Sequence, residues 1–502
     1  MAVSSRIIEP TRSASRKGSS LDLRPILLVI GILLIILALF MAPPMVADLA
    51  VGNPDWQVFL AAGGVTLFAG VNLLLMNRAP GFTEITGRQA FLLTTSVWVV
   101  ISFFGSLPLM FSELDLDFAD AYFETMSGIT TTGSTVIVGL DYAPPGILLW
   151  RAILQWLGGI GIIVMGVAIL PILSVGGMQL VRTESSDLSE KILPRAAQIA
   201  GAIGMIYLTM TFACATLYWF AGMPPFEAAA HSMTTIATGG FSTRDASIGG
   251  FQNASIEWIA ILFMIVGSLP FVLYIQVSNG KFGPLLRDSQ VRWFLSIVIL
   301  ATLAILVWLI AEFDAPWLEA FRHSLFNTVA VITGTGYASA NFGAWGTLPV
   351  ALLFFLMCVG GCTGSTTGGI KVFRFTVLHV IAKNQFARLV RPHGVFIPSY
   401  NGRPLQEAAS IAVMAFLFMF GLAFSIIALA LSAMGLDYLT AMSGALTALA
   451  NVGPGLGPII GPAGSFASLP DGAKWLLSAA MLLGRLELLT VLILFTPAFW
   501  RS

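Results

Sequence analysis

Four short runs of glycine and small polar residues decide the fold of this 502-residue chain, and we call them glycine turns one to four. They are Thr130-Thr131-Thr132-Gly133-Ser134, Ala237-Thr238-Gly239-Gly240-Phe241-Ser242, Thr333-Gly334-Thr335-Gly336-Tyr337 and Ala450-Asn451-Val452-Gly453-Pro454. The glycines taken as equivalent are Gly133, Gly240, Gly336 and Gly453. The intervals between them are 107, 96 and 117 residues, which indicates one structural unit used four times. Because Gly239 and Gly240 are adjacent, the alignment of the second turn is open by one residue.

The composition is typical of a membrane protein. Hydrophobic residues make up 57% of the chain and charged residues 10%, whereas a soluble domain carries about 25% charged residues. The chain has too few charges to cover a soluble protein of this size, and its apolar content excludes disorder. Zero net charge offers no basic surface for nucleic acid, and three cysteines provide neither a disulfide framework nor metal-ligand spacing.

Ten stretches are apolar and long enough to cross a bilayer, which takes about 20 residues. They are residues 25–43, 57–77, 90–111, 147–173, 196–220, 255–278, 292–312, 347–382 with an interruption, 405–433 and 474–499. Four shorter stretches lie between them and lead into the glycine turns: residues 118–131, 225–237, 319–333 and 437–450. Their length predicts re-entrant helices, which are tolerated in a membrane only where they are buried in protein or line a wet cavity. Four of them predict a pore.

The charges are consistent with ten crossings. If the four shorter stretches do not cross, both termini lie inside, and 20 of the 25 basic residues fall in inside segments. This distribution follows the positive-inside rule. Sixteen of the 25 acidic residues fall outside. They are either solvated loop residues or a negative vestibule that concentrates cations before entry.

The glycine turns contain no carboxylate, imidazole or thiol, so their main ligands are backbone carbonyls, with help from threonine hydroxyls. Glycine accepts positive φ and allows close approach, and a ring of neutral oxygens can replace the water shell of potassium. Mg²⁺ and Ca²⁺ favour carboxylates, which these turns lack. The carboxyl end of each short helix adds partial negative charge, which favours a cation. The predicted potassium-binding filter residues are Thr131, Thr132, Gly133, Thr238, Gly239, Gly240, Gly334, Thr335, Gly336, Asn451, Val452 and Gly453. The alternative is that these turns are only connectors.

Two further motifs accompany the glycine turns. The first is Gly360-Gly361-Cys362-Thr363-Gly364-Ser365-Thr366-Thr367-Gly368-Gly369-Ile370-Lys371, and the second is Gly484-Arg485-Leu486-Glu487. With these motifs, the chain from about residue 20 to its end resembles the TrkH-type potassium uptake transporters of the TrkH/KtrB superfamily. Glycine in all four turns resembles the potassium-selective members, since sodium-selective relatives carry serine at the position of Gly133.

This resemblance implies an all-α polytopic membrane protein with four helix–pore-helix–helix repeats around one central pore and two extra N-terminal transmembrane helices. It also implies a homodimer and a cytosolic ring of nucleotide-binding regulatory subunits, called TrkA in this family. The expected divisions are a cytoplasmic tail (1–24), an extra helix pair (25–88) and pore repeats 89–190, 191–288, 289–398 and 399–502.

A gate is expected at residues 360–369 within the third repeat, because a run so rich in glycine cannot continue a helix and the family uses this stretch as an intramembrane gating loop. Arg485 would reach the pore below the filter, repel cations and donate to loop carbonyls. Arg485 and Glu487, two residues apart, do not share a helix face and are not expected to pair. The predicted gate residues are Gly360, Gly361, Gly364, Ser365, Thr366, Gly368, Gly369 and Arg485. The alternatives are a small-residue packing surface and a structural polar pair.

The expected function is potassium uptake across a prokaryotic plasma membrane, the inner membrane of a bacterium, driven by the membrane potential. A proton- or sodium-coupled symporter is the alternative, although it would need an ionisable residue near the substrate site. A membrane enzyme would need a buried catalytic arrangement that the spans do not contain. No nucleotide-binding motif is found, so nucleotide control would come from another subunit. No cofactor is expected in this chain, and the expected partners are potassium, a second copy, the regulatory subunit and lipid.

Overall fold

The computed structural model describes residues 21–78, 85–168 and 192–501. Within these ranges the regular secondary structure is helical, apart from two-residue strands at Ser399–Tyr400 and Arg403–Pro404 that form an antiparallel hairpin. Most of the predicted N-terminal tail lies outside the described residues, as do the end of the predicted span 147–173 and the predicted boundary between the first two repeats at residues 190 and 191.

The helices follow the order that the apolar stretches predict. The α-helices are Arg24–Phe40, Ala42–Val51, Trp56–Met76, Gly87–Met110, Phe118–Ile129, Pro145–Ala168, Ile192–Phe220, Pro225–Ile236, Ala254–Gly267, Phe271–Ser278, Gly283–Arg287, Ser289–Phe313, Trp317–Ile332, Thr347–Val359, Val372–Val390, Glu407–Ala433, Tyr438–Ala450, Asp471–Arg485, Leu489–Leu492 and Pro497–Arg501. Short 3-10 helices are found at Leu140–Tyr142, Ser247–Phe251, Phe342–Ala344 and Ile493–Phe495. The chain is therefore an all-α membrane protein, as predicted.

Two predicted spans are not continuous helices. In the described residues, seven helices are long and apolar enough to cross a membrane, or nine if each bent pair counts as one span. The predicted span 255–278 bends by 97° after Gly267, where Pro270 cannot donate a backbone hydrogen bond. The predicted span 474–499 bends by 106°, where Glu487 and Leu488 adopt positive φ of 62° and 33°. The expected interruption of the eighth span is present and extends to Lys371.

Four short helices lie between longer ones, and we call them the first to fourth short helices. They are Phe118–Ile129, Pro225–Ile236, Trp317–Ile332 and Tyr438–Ala450. Asp117 caps the first by accepting a hydrogen bond from the N–H of Asp120 at 2.7 Å. Asp437 caps the fourth in the same way through Thr440. Each short helix is largely buried and runs directly into a glycine turn, so the unit of helix, short helix, turn and helix occurs four times after the N-terminal pair.

The N-terminal pair, Arg24–Phe40 and Trp56–Met76, packs closely through two glycines. A Cβ atom on Gly31 would lie 2.9 Å from the carbonyl oxygen of Gly70, and the converse distance is also 2.9 Å. Small residues let membrane helices approach in this way, and that close approach takes the place of a hydrophobic driving force between them.

Several charged residues of the segments predicted to lie on the outer side of the membrane are buried in the protein. The buried acids are Asp48, Asp55, Glu124 and Glu257, and Arg151 is buried as well. Asp48, for example, accepts a hydrogen bond from the N–H of Gly146 at 2.6 Å, at the start of helix Pro145–Ala168. Neither interpretation of the acidic residues, as solvated loops or as a vestibule, describes these four.

Candidate functional site: a ring of four glycine turns

The glycine turns share one backbone conformation, with left-handed φ at the second residue and at the glycine two positions later. The second residues are Thr131, Thr238, Gly334 and Asn451, with φ of 52°, 50°, 68° and 54°. The glycines are Gly133, Gly240, Gly336 and Gly453, with φ of 88°, 78°, 73° and 116°. Gly239 lies between two such residues, so Gly240 is the equivalent of Gly133 and the register that the sequence left open is settled.

The four turns contact one another in a closed ring. A Cβ atom on Gly133 would lie 2.2 Å from the carbonyl oxygen of Gly239, and a Cβ atom on Gly240 would lie 1.7 Å from the carbonyl oxygen of Thr335. A Cβ atom on Gly336 would lie 2.0 Å from the carbonyl oxygen of Val452. A Cβ atom on Gly453 would lie 2.9 Å from the carbonyl oxygen of Thr132. Each glycine thus lies against the middle carbonyl of the next turn, and the fourth turn returns to the first. Only glycine combines the required φ with this absence of a side chain.

Backbone amides hold each turn to its short helix. The N–H groups of Thr132, Gly239 and Val452 donate to the carbonyls of Ser127, Thr234 and Thr447 at 2.8, 2.9 and 3.0 Å. In the third turn the donor is Gly336, which bonds Ala330 at 2.9 Å, so the ring is not fourfold symmetric. Because a trans peptide is planar, the carbonyl before each donor points away from the short helix. This leaves the carbonyls of Thr131, Thr238, Thr335 and Asn451 directed away from their helices.

Side chains also join neighbouring turns. Ser134 Oγ donates to the carbonyl of Gly453 at 2.7 Å, and Asn451 Nδ2 donates to Thr132 Oγ1 at 2.9 Å. These bonds join the first turn to the fourth. The Tyr337 hydroxyl, directly after the third glycine, lies 2.5 Å from Thr234 Oγ1 in the second short helix.

Gln155 is a site residue that was not predicted from the sequence. Its side chain is buried, with Nε2 donating to the carbonyl of Gly239 at 2.6 Å and Oε1 accepting from the N–H of Phe241 at 3.0 Å. The side-chain amide of Gln155 therefore forms hydrogen bonds with the residues immediately before and after Gly240. A polar residue inside an apolar span was the available signal, since such residues are costly and commonly functional.

The intramembrane loop, residues 360–371, packs on the break in the second repeat. The N–H of Cys362 donates to the carbonyl of Ser268 at 3.0 Å, and the N–H of Phe271 donates to that of Gly364 at 2.9 Å. The loop also contacts the glycine turns directly. Thr366 Oγ1 lies 3.0 Å from Thr238 Oγ1, and a Cβ atom on Gly368 would lie 2.4 Å from the carbonyl oxygen of Ala450.

Of the predicted gate residues, Thr366 and Gly368 thus contact the second and fourth turns. Arg485, 3% exposed, donates from Nη1 to the carbonyl of Thr366 at 2.9 Å. Its Nε and Nη2 atoms are buried without a hydrogen-bond partner among the described residues. One guanidinium therefore joins the last repeat to the loop that contacts the second turn.

Glu487 pairs with residues at the end of the intramembrane loop and not with Arg485. Its carboxylate forms an ion pair with Arg374 and lies 3.8 Å from Lys371 Nζ. All three side chains are buried, and the Arg374 guanidinium also lies 3.6 Å from the centre of the Phe416 ring. The ion pair between Glu487 and Arg374 joins helix Val372–Val390 to the bend that follows Arg485.

Glu487→Gln is expected to destabilise the protein by about 3–5 kcal/mol, because it removes the buried negative charge that pairs with Arg374 and Lys371. Thermal unfolding in detergent measures this as a lowered midpoint. The exposed Glu312 provides the control, since Glu312→Gln should leave the midpoint within error of the parent. Equal midpoints for Glu487→Gln and the parent protein would contradict a stabilising role for this cluster.

Comparisons with known proteins agree with this architecture. The family model described as "TrkH: Cation transport protein" matches residues 56–502. The Trk system potassium uptake protein TrkI of Halomonas elongata is 48% identical over 480 residues, covering 95% of this chain and 97% of that protein. The Trk system potassium uptake protein TrkH of Escherichia coli (strain K12) is 39% identical over 489 residues, covering 95% of this chain and 99% of that protein.

A solved structure gives the same result. The crystal structure of the potassium transporter TrkH from Vibrio parahaemolyticus matches with a TM-score of 0.88 at 38% identity, and the match covers 96% of this chain and all of that one. The resemblance inferred from the glycine turns is confirmed. The chain belongs to the TrkH family of cation transport proteins, and it is a multi-pass membrane transporter rather than an enzyme.

Proposed function

We propose that this chain passes potassium inward across a bacterial inner membrane through the ring of glycine turns. The closed ring is the observation that carries the proposal, because it gathers four sets of uncharged backbone carbonyls at one place. The relatives described above are named potassium uptake proteins, and their similarity extends over nearly the whole chain. Potassium is the transported substrate.

The filter comprises the twelve residues predicted from the sequence, three from each turn. Their carbonyl oxygens replace the water shell of potassium, and no charged side chain stands among them. The short helices end at the turns, so their dipoles add partial negative charge where the cation loses water. A potential of 100 mV, negative inside, supplies about 2.3 kcal/mol per monovalent cation.

The intramembrane loop and Arg485 form the gate of this pathway. The loop is buried against the second and fourth turns, and Arg485 holds the carbonyl of Thr366 while placing a fixed positive charge beside the loop. Opening would require these contacts to separate. The predicted gate residues Gly360, Gly361, Gly364, Ser365, Gly368 and Gly369 have no side chain or a small one, which lets the loop pack and move.

The four repeats comprise residues 89–190, 191–288, 289–398 and 399–502, after the tail and the N-terminal pair. By analogy with the family, the chain forms a homodimer and is regulated by a cytosolic TrkA-like nucleotide-binding subunit. The sequence contains no recognisable nucleotide-binding motif of its own, which is why control is assigned to a separate subunit.

Uptake of ⁸⁶Rb⁺ into liposomes that contain only this protein tests the proposal. Uptake driven by a potassium diffusion potential, at equal pH on both sides, is the expected result, and excess unlabelled K⁺ should compete better than Na⁺. Uptake that requires an imposed proton or sodium gradient would instead establish the symporter. Protein-free liposomes give the background, and no uptake above it under either condition would contradict transport by this chain alone.

A further inference from the structure

A buried ion pair lies beside the first two glycine turns and is not part of the proposed filter or gate. Arg151 Nε lies 2.8 Å from Glu124 Oε1, and the two side chains are 1% and 0% exposed. Glu124 belongs to the first short helix and Arg151 to the longer helix that follows the first turn. Removing two charges from water is costly, and this cost is offset only where geometry and further hydrogen bonds are good.

Those further bonds lead to both turns. Glu124 accepts from Thr135 Oγ1 at 2.9 Å and from the N–H of Val136 at 2.8 Å, directly after the first turn. Arg151 donates from Nη2 to Thr135 Oγ1 at 3.2 Å and from Nη1 to the carbonyl of Ser242 at 2.9 Å. Its guanidinium also lies 4.1 Å from the centre of the Phe241 ring.

The bonded positions are equivalent in the two repeats. Thr135 follows Gly133 by two residues, and Ser242 follows Gly240 by two residues. Arg151 therefore bridges the same point of two neighbouring turns. A planar guanidinium with several donors in fixed directions can hold two acceptors at a set separation, which a single ammonium group cannot do.

The other repeats use neutral groups at this place. The residues at the position of Glu124, by the intervals 107, 96 and 117, are His231, Asn327 and Gly444. His231 Nε2 lies 3.0 Å from Ser242 Oγ, and Asn327 Nδ2 donates to Ser339 Oγ at 2.9 Å, so each braces the segment after its own turn. At this position of the described repeats, only the first has an ion pair, and its Arg151 donates to a carbonyl beside the second glycine turn's Gly240.

We propose that the Glu124–Arg151 pair is a positioning element that sets the separation of the first two glycine turns and thereby the discrimination of potassium from sodium. The inference rests on the potassium-selective filter proposed above. The pair acts through the backbone, because it contacts the segments after Gly133 and Gly240 and not the proposed ligands. Charge-assisted, many-donor contacts in a low-dielectric interior are stiffer than neutral ones, so they resist collapse of the ring around the smaller sodium ion.

The test compares ²²Na⁺ and ⁸⁶Rb⁺ uptake by purified full-length variants in liposomes. Arg151→Lys keeps the charge but cannot hold both Thr135 and Ser242, and Glu124→Gln/Arg151→Gln removes both charges without leaving one unpaired. Each variant is expected to raise the Na⁺/Rb⁺ uptake ratio about fivefold. This is the change in an equilibrium that corresponds to the net free energy of one hydrogen bond. Arg244→Lys is the matched control, because Arg244 pairs with Glu227 within the second repeat and both are partly exposed. It should keep the ratio of the parent.

Three outcomes are informative. A raised ratio in both variants, with unchanged gel-filtration profiles and unchanged Arg244→Lys, supports the proposal. A parental ratio with reduced maximal uptake, or loss of folded protein in both variants, shows that the pair is only structural and overturns it. A parent protein that does not itself prefer Rb⁺ over Na⁺ contradicts the proposed function instead, so the two failures are distinguishable.

Discussion

Gly240→Ala is expected to reduce ⁸⁶Rb⁺ uptake to the level of protein-free liposomes. A Cβ atom at this position would lie 1.7 Å from the carbonyl oxygen of Thr335, and non-bonded carbon and oxygen atoms do not approach so closely. The backbone also has φ of 78°, where alanine pays about 1–2 kcal/mol. Because the obstructing atom belongs to the backbone of the next turn, relief of the clash has to move the third turn and its carbonyls.

Gly280 provides a matched control for this substitution. It has the same φ of 78°, but a Cβ atom there would meet nothing within 4 Å. Gly280→Ala therefore carries the same backbone cost without the clash, and uptake should remain within about a factor of two of the parent protein, as for most surface substitutions. Parental uptake and ion preference in Gly240→Ala would show that the ring is not the conduction pathway.

Arg485→Ala is expected to raise the rate of ⁸⁶Rb⁺ uptake about tenfold or more. The substitution removes the hydrogen bond to the carbonyl of Thr366 and a buried positive charge beside the loop. A hydrogen bond from a charged donor contributes about 1.5–3 kcal/mol, so its loss shifts the balance between closed and open loops by roughly one to two powers of ten. The initial rate of uptake in liposomes measures the change.

Arg485→Lys separates the two contributions of this residue. Lysine keeps the charge but lacks the planar donor set, so an intermediate rate is expected if both repulsion and hydrogen bonding hold the loop closed. A rate equal to that of Arg485→Ala would assign the effect to hydrogen bonding, and a parental rate would assign it to charge. If Arg485→Ala takes up ⁸⁶Rb⁺ at the parental rate over a wide range of potassium concentrations, Arg485 has no part in gating.

The sequence predicted the repeated architecture because its signals are local. A short apolar stretch followed by a glycine turn is recognisable within a few residues, and four of them at similar intervals predict four similar units. The positive φ values at Gly133, Gly240, Gly336 and Gly453 are what glycine makes possible at such a turn. Hydropathy located the spans for the same reason, since crossing a bilayer depends mainly on length and apolar content.

Hydropathy did not predict where the helices bend. Residues 255–278 and 474–499 are mainly apolar, so their length predicts single spans, yet they bend by 97° and 106°. Pro270 is a local signal for the first bend. The second has no such signal, because Glu487 and Leu488 are not residues that favour left-handed backbone. The ion pair of Glu487 with Arg374 in the third repeat holds that conformation, and residues so far apart in sequence cannot be paired by inspection.

The sequence by itself determined that this protein is a four-repeat membrane protein whose turns are made of glycine and uncharged side chains, because helix length, apolar content and backbone freedom belong to single segments. Only the tertiary structure decided the closed order of the turns, the register at Gly240, and the buried partners Glu124, Arg151 and Gln155 behind them. These depend on contacts between segments separated by tens to hundreds of residues, where burial makes each polar group require one particular partner.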